Sequence, residues 1–128
     1  MSNEKVSRPT DSEIEILGVL WDKQQASVRE VHEELLKTKD SGYTTTLKLM
    51  QIMFEKNLVT RNDSKKTHIY YPNITRESAR KQFVGKMIHN LFSGSSAALA
   101  LQALGHANIS REELDEIQEM IDQLKANQ

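Results

Sequence analysis

Residues 42–62 read GYTTTLKLMQIMFEKNLVTRN, and the distribution of side chains along this stretch decides the fold. At about 100° per residue, four polar side chains share one narrow helical face, namely Thr44, Lys48, Gln51 and Glu55. The opposite arc carries Thr46 and five apolar side chains, Leu47, Leu49, Met50, Met53 and Phe54. A surface helix normally has a broader charged face. The pattern therefore predicts a helix that packs with most of its circumference and exposes one thin polar ridge, with Thr45 and Ile52 at its edge.

Two capped helices are predicted ahead of this stretch. Thr10 and Glu13 have the spacing of a capping box, as do Ser27 and Glu30. Both pairs precede apolar residues at helical spacing, and the first of these helices is predicted to run to about Lys23. Three helices, counting that of the quoted stretch, therefore occupy the first half of the chain.

A β-hairpin is predicted directly after the quoted stretch. The β-prone pieces 58–59 and 69–71 flank the turn-rich segment NDSKK. A hairpin of this size is marginally stable by itself in water, so it must pack against the helices. Three helices followed by a hairpin form a winged helix-turn-helix, which we predict as a domain over residues 8–73.

The remaining residues, 74–126, carry three more helical patterns. A long one begins at Thr75, SGSS interrupts it at 93–96, and a further capping box at Ser110 and Glu113 starts the last one. Three short amphipathic helices rarely bury their apolar stripes alone, and symmetric dimers are the commonest oligomers. The fold class is thus mainly α, and we predict a C-terminal helical dimerisation domain, a homodimer, and an interface formed by Met87, Leu91, Leu101, Leu104, Leu114, Ile117, Ile121 and Leu124.

The charge of the chain is unevenly distributed, although its net value is only −1. Residues 1–36 carry 4 basic and 8 acidic side chains, residues 37–90 carry 11 and 4, and residues 91–128 carry 2 and 6. A basic middle between acidic ends indicates an anionic partner for residues 37–90. Chance clustering on solvated helix faces is the alternative explanation.

The polar ridge fits the second helix of a helix-turn-helix motif, which enters the major groove of DNA. Gln pairs bidentately with adenine, and Lys reaches the O6 and N7 atoms of guanine. We therefore predict double-stranded DNA as the partner, with its groove read by Thr44, Thr45, Lys48, Gln51 and Ile52. The hairpin is predicted to hold phosphates through Arg61, Lys65, Lys66 and Thr67. In the alternative interpretation, the threonines only cap the helix and the longer polar side chains only face solvent.

Other classes of function find little support in the sequence. The chain has no cysteine, which excludes disulfides and Cys-based metal sites. Its four histidines are scattered, and no glycine-rich phosphate motif or nucleophile elbow is present. We therefore predict no enzyme, no catalytic residue, no cofactor and no metal. No run of 18 apolar residues and no signal-peptide core are present, so we predict a cytoplasmic protein without membrane insertion. A secreted protein without disulfides is the alternative.

Four stretches, taken in order, resemble the family of penicillinase repressors and methicillin-resistance repressors, which also contains copper-responsive repressors. They are TDSEIEILGVLWD, SVREVHEEL, YTTTLKLMQIMFEKNLV and HIYYP. The resemblance covers about residues 8–125 and is loose after residue 75. It implies a homodimeric winged-helix repressor that binds a dyad-symmetric operator through its third helix. In many members, a membrane-bound sensor metalloprotease triggers proteolysis in the C-terminal domain, which relieves repression.

The chain departs from the family pattern at several positions. The family often has Arg, Thr and Gly where this chain has Ile52, Lys48 and Asn57, so the resemblance implies a different operator sequence. The copper-responsive members carry a C-terminal cysteine motif, which this chain lacks. The bond cut in proteolysed members matches Gln102-Ala103 here, in place of Asn–Phe. A proteolytic switch at Gln102 and Ala103, a cut elsewhere and no cut at all remain open.

Two alternatives to this repressor remain open at the level of the sequence. One is a winged-helix adaptor that docks a partner protein on the polar ridge. The other is a repressor that responds to a small molecule enclosed by the hinge at residues 93–107.

Overall fold

The computed structural model describes residues 8–106 and 108–128, so Ala107 at the end of the predicted hinge lies outside the described residues. The elements over these residues are α1 (Asp11–Lys23), α2 (Val28–Leu35), α3 (Tyr43–Glu55), β1 (Val59–Asn62), β2 (Ile69–Pro72), α4 (Arg76–Leu91), α5 (Ser96–Leu104) and α6 (Arg111–Ala126). The predicted fold class is confirmed. We call β1, β2 and the turn between them the wing.

The described chain divides into two compact units, the first reaching Val84 and the second starting at Gly85. The division falls inside α4, downstream of the boundary that the sequence predicts between residues 73 and 74. The predicted domain limits stay a prediction. No helix in the described part of the chain has the length and apolarity needed to cross a membrane.

The three capping boxes predicted from the sequence are all present. At the start of α1, the Glu13 backbone N–H donates to Thr10 Oγ1 at 3.2 Å, and the Thr10 N–H donates to Glu13 Oε1 at 2.9 Å. The same reciprocal pair of hydrogen bonds opens α2 at Ser27 and α6 at Ser110. Each box satisfies two backbone donors that the first turn of a helix leaves unpaired.

One hydrophobic core holds the first unit together. It joins α1, α2 and α3 to the wing through Ile16, Leu17, Leu20, Ala26, Val28, Val31, Leu35, Met50, Met53, Leu58, Val59 and Tyr70. Trp21 packs at the edge of this core, and its indole Nε1 donates to the backbone oxygen of Ile74 at 2.8 Å. The core and this hydrogen bond therefore hold together α1, α2, α3 and the segment just before α4.

The wing is anchored to the helices by a third extended segment that the sequence does not reveal. β1 and β2 pair antiparallel with Arg61 opposite Tyr70. Tyr70 also forms an isolated bridge to Ala26, between α1 and α2, with N–O distances of 2.8 and 3.0 Å. This bridge and the buried Tyr70 ring stabilise a hairpin that would be marginal alone.

Helix α3 ends in a left-handed turn that aims the chain into the wing. Asn57 has φ +65°, and the Leu58 N–H donates to the Met53 oxygen at 2.9 Å. Glycine or asparagine is the usual residue at such a helix end. Asn57 therefore occupies a backbone position that favours asparagine or glycine.

The second unit contains the end of α4, α5 and α6. Ser93 and Gly94, with φ of +52° and +85°, form the left-handed turn between α4 and α5. The SGSS interruption therefore ends one helix and starts another, as predicted. In the described residues of α5 and α6, no side chain is buried.

Candidate nucleic-acid interface

Helix α3 turns its polar ridge outward. Thr46, Met50 and Met53 are buried on its inner face. Thr44, Thr45, Lys48 and Gln51 are exposed, and Ile52 is half-buried at the edge, as the helical spacing predicts. The N-cap of α3 is Gly42, without a side-chain hydrogen bond, so the threonines lie inside the first turn and do not cap the helix.

A concave groove of about 300 Å³ lies beside this ridge, between the start of α2, the outer face of α3 and the wing. It brings Gln51 of α3 together with Lys66 and Thr67 of the wing. The other predicted DNA-contacting residues do not line the groove: Thr44, Thr45, Lys48, Ile52, Arg61 and Lys65. Gln51 lies on the ridge and also lines the groove, so the two surfaces adjoin at this residue.

Arg29, Tyr43 and His68 also line the groove, and our sequence prediction omits them. The guanidinium carbon of Arg29 lies 5.9 Å from the centroid of the Tyr43 ring. That ring meets the His32 ring edge-on, with centroids 5.6 Å apart. A sequence signal existed for Arg29, because a cation in the first turn of a helix opposes the helix dipole and indicates an anionic partner.

The cations of the wing differ in how they are held. The Arg61 guanidinium lies 4.0 Å from the centroid of the Phe54 ring, and its Nε donates to Asp63 Oδ1 at 2.8 Å. Neighbouring Tyr70 and Asp63 raise the pKa of Arg61 above its ordinary value. Lys65 and Lys66, at the exposed turn, form no ion pair with any residue that the structure describes. These two lysines are the open cations of the wing.

A buried ion pair sets the position of α3 against α1. Lys56, at the end of α3, donates to both carboxylate oxygens of Glu13 at 2.7 and 3.0 Å. The Glu13 side chain is only 3% exposed and the Lys56 side chain 23%. Lys56 therefore belongs to the packing of the first unit, and Glu13 has a second role in addition to the predicted cap.

An apolar groove of about 770 Å³ lies between α5 and α6 in the second unit. Five of the predicted dimer residues line it: Leu101, Leu104, Ile117, Ile121 and Leu124. Met87, Leu91 and Leu114 do not line it and are also exposed, by 37%, 74% and 46%. Met120 lines the groove as well, and the helical spacing of Ile117, Met120 and Leu124 could have identified it.

A model of the penicillinase repressor family matches residues 9–123. The chain belongs to the penicillinase repressor family. Among curated members of this family, the penicillinase repressor of Bacillus licheniformis is 22% identical over 121 residues, which is 94% of each chain. The transcriptional regulator BlaI of Mycobacterium tuberculosis is 28% identical over 125 residues, which is 95% of this chain and 88% of that protein.

Solved structures of the family share the fold. The solution structure of the DNA binding domain of the repressor BlaI covers 59% of this chain and 93% of its own, with 24% identity and a TM-score of 0.52. The solution structure of monomeric Bacillus licheniformis BlaI in complex with the blaP half-operator has 24% identity and a TM-score of 0.50, covering 58% of this chain and 90% of its own.

Proposed function

We propose that this chain is a DNA-binding transcriptional repressor of the penicillinase repressor family, acting in the cytoplasm as a homodimer on a dyad-symmetric operator. The observation that carries the proposal is the outward polar ridge of α3 beside a groove that is lined by Lys66, one of the open cations of the wing. Relatives that match nearly the whole chain are named as repressors. A solved family structure with the same fold is a complex with half-operator DNA.

In this proposal the ridge reads bases and the groove edges hold phosphates. Lys48 and Gln51 project from α3 with side chains long enough to reach base edges. Thr44, Thr45 and Ile52 lie beside them on the helix and have shorter side chains. Lys65, Lys66 and Thr67 of the wing hold backbone phosphates on one side. Arg29 at the start of α2 adds a phosphate contact on the other side, where the helix N-terminus itself favours an anion.

Binding to two duplexes tests base reading against phosphate holding. One duplex carries the promoter of the chain's own gene, and the other has a random sequence. We expect Gln51→Ala to weaken promoter binding by about 1–3 kcal/mol and to change random-duplex binding little, because an unpaired base edge penalises only the specific complex. Lys66→Ala should weaken both complexes. It should also reduce the log–log slope of affinity against salt concentration by the amount that one phosphate contact contributes. Fluorescence anisotropy over a salt series measures both effects.

The control for these variants is Gln123→Ala, an exposed position of α6 that lies outside both grooves. It should bind both duplexes like the unchanged chain. Equal losses on both duplexes for Gln51→Ala would contradict base reading. A chain that shifts neither duplex in a mobility-shift assay would be an adaptor for a partner protein instead.

The homodimer in this proposal is supported by the composition of the second unit's surface. Six of the eight predicted interface residues are exposed, with Leu91 and Leu101 the most exposed at 74% and 71%. Apolar side chains at this exposure cost free energy in water and favour association. A two-fold symmetric dimer presents two α3 helices to two half-sites, which matches a dyad-symmetric operator.

Derepression by proteolysis is the remaining part of the proposal. The predicted cut at Gln102-Ala103 lies in α5, and both side chains are exposed. A protease needs an extended substrate, so this helix must open locally before cleavage. Mass spectrometry of the chain after incubation with membranes that hold a sensor metalloprotease would identify the cut bond. Fragments that end elsewhere would move the switch to another site.

A further inference from the structure

We propose that Asp63 limits the sequence-independent affinity of this chain for DNA by occupying Arg61, which would otherwise bind a phosphate. The inference rests on the proposed function, because it assumes that the wing lies against the DNA backbone. It adds a residue that sets how tightly the wing holds any duplex, separate from the residues that read bases.

One carboxylate oxygen of Asp63 contacts Arg61 and lies close to His68 at the base of the turn. Its Oδ1 accepts a hydrogen bond from Arg61 Nε at 2.8 Å and lies 3.5 Å from His68 Nδ1. The Asp63 side chain is 52% exposed, whereas the Arg61 side chain is 21% exposed. The Phe54 ring also contacts the guanidinium, whose carbon lies 4.0 Å from the ring centroid. Arg61 is therefore held by both an aromatic ring and a carboxylate.

A carboxylate and a phosphate compete for the same guanidinium N–H groups, because both are anions whose oxygens accept charge-assisted hydrogen bonds. Asp63 already fills this position in the free chain. The carboxylate therefore removes one phosphate contact.

A second ion pair of the first unit provides a matched control. Asp22 Oδ1 accepts from Arg76 Nη2 at 2.9 Å, and both side chains are exposed, at 75% and 45%. Neither residue lines the groove between α2, α3 and the wing. Asp22→Asn and Asp63→Asn each remove one negative charge from the chain and each break one Asp–Arg ion pair, but only Asp63→Asn does so in the wing.

The experiment measures binding of the full chain to a random duplex and to the promoter duplex between 50 and 200 mM salt. We expect Asp63→Asn to tighten binding to both duplexes by the same factor, roughly 3- to 10-fold, and to steepen the salt dependence by about 0.9 in log–log slope. The two factors should agree because a phosphate contact carries no sequence information. Asp22→Asn should leave both affinities within roughly two-fold of the unchanged chain, because an exposed pair outside the interface contributes little.

A double variant tests whether the gain passes through Arg61. Arg61→Met removes the guanidinium and leaves an unbranched apolar side chain in its place, so Asp63→Asn should give no gain in this background. The proposal is wrong if Asp63→Asn does not tighten binding, if the gain persists without Arg61, or if Asp22→Asn gives an equal gain. A chain that binds neither duplex before any substitution would overturn the proposed function itself, and the inference with it.

Discussion

At the scale of single residues, the position of α3 depends on the ion pair between Glu13 and Lys56. Glu13 accepts from the Thr10 backbone at the start of α1 and from Lys56 at the end of α3. A carboxylate that is 3% exposed cannot be hydrated, so its charge must be balanced by these partners. One side chain therefore connects the cap of the first helix to the end of the third.

Lys56→Met should lower the free energy of unfolding by about 2–3 kcal/mol, because it leaves Glu13 buried without its cationic partner. Lys39→Met is the matched control, since Lys39 pairs with Glu15 at 2.8 Å but the two side chains are 40% and 50% exposed. That variant should lose less than about 1 kcal/mol. Urea unfolding followed by circular dichroism measures both. Similar losses for the two variants would show that burial does not strengthen the Glu13 pair.

At the scale of secondary structure elements, the ends of α1 and α3 both use a left-handed residue that is not glycine. Gln24 has φ +75° at the end of α1 and Asn57 has φ +65° after α3. This conformation costs a residue with a side chain about 1–2 kcal/mol. The cost is lower for asparagine, because its short side chain forms hydrogen bonds with the nearby backbone. Both helices therefore end in a left-handed residue, and glycine would adopt this conformation at a lower free-energy cost.

Gln24→Gly should raise the free energy of unfolding by about 1 kcal/mol, since glycine adopts positive φ without steric cost. Asn57→Gly should raise it by about half as much or less, because asparagine already tolerates this region. Thermal unfolding of the two variants beside the unchanged chain measures the difference. A loss of stability for Gln24→Gly would mean that the Gln24 side chain makes a contribution that outweighs its backbone strain.

At the scale of the whole molecule, the two units differ in how they satisfy their apolar residues. The first unit encloses its own core, whereas the described parts of α5 and α6 bury no side chain. Helices with this much exposed apolar surface are stable only when another surface covers them. A second copy of the chain offers the same stripes and a symmetric contact.

Leu101→Glu should convert the proposed dimer into a monomer at micromolar concentration, because it places a charge in the apolar groove between α5 and α6. Operator binding should weaken with it, since a monomer contacts one half-site. Leu36→Glu is the control, because Leu36 is 47% exposed in the first unit and carries no predicted contact. Sedimentation velocity measures the mass of each variant. An unchanged chain that sediments as a monomer would overturn the dimer.

Several features of this protein follow from the sequence alone, because they depend on residues close together in the chain. The capping boxes at Thr10, Ser27 and Ser110 join residues three apart, and the outward ridge of α3 follows from helical spacing. The hairpin follows from two β-prone pieces around a turn. Each of these patterns is local, so it can be recognised without knowing the packing.

The tertiary structure alone decided the remaining features. The Ala26–Tyr70 bridge, the Glu13–Lys56 pair and the Arg29–Tyr43 contact each join residues distant in sequence. Periodicity identifies the face on which a side chain lies, but it does not identify the side chain that will meet it. The sequence therefore determined the winged helix and its exposed ridge, and packing determined which cations stay open beside that ridge and which are held by a carboxylate.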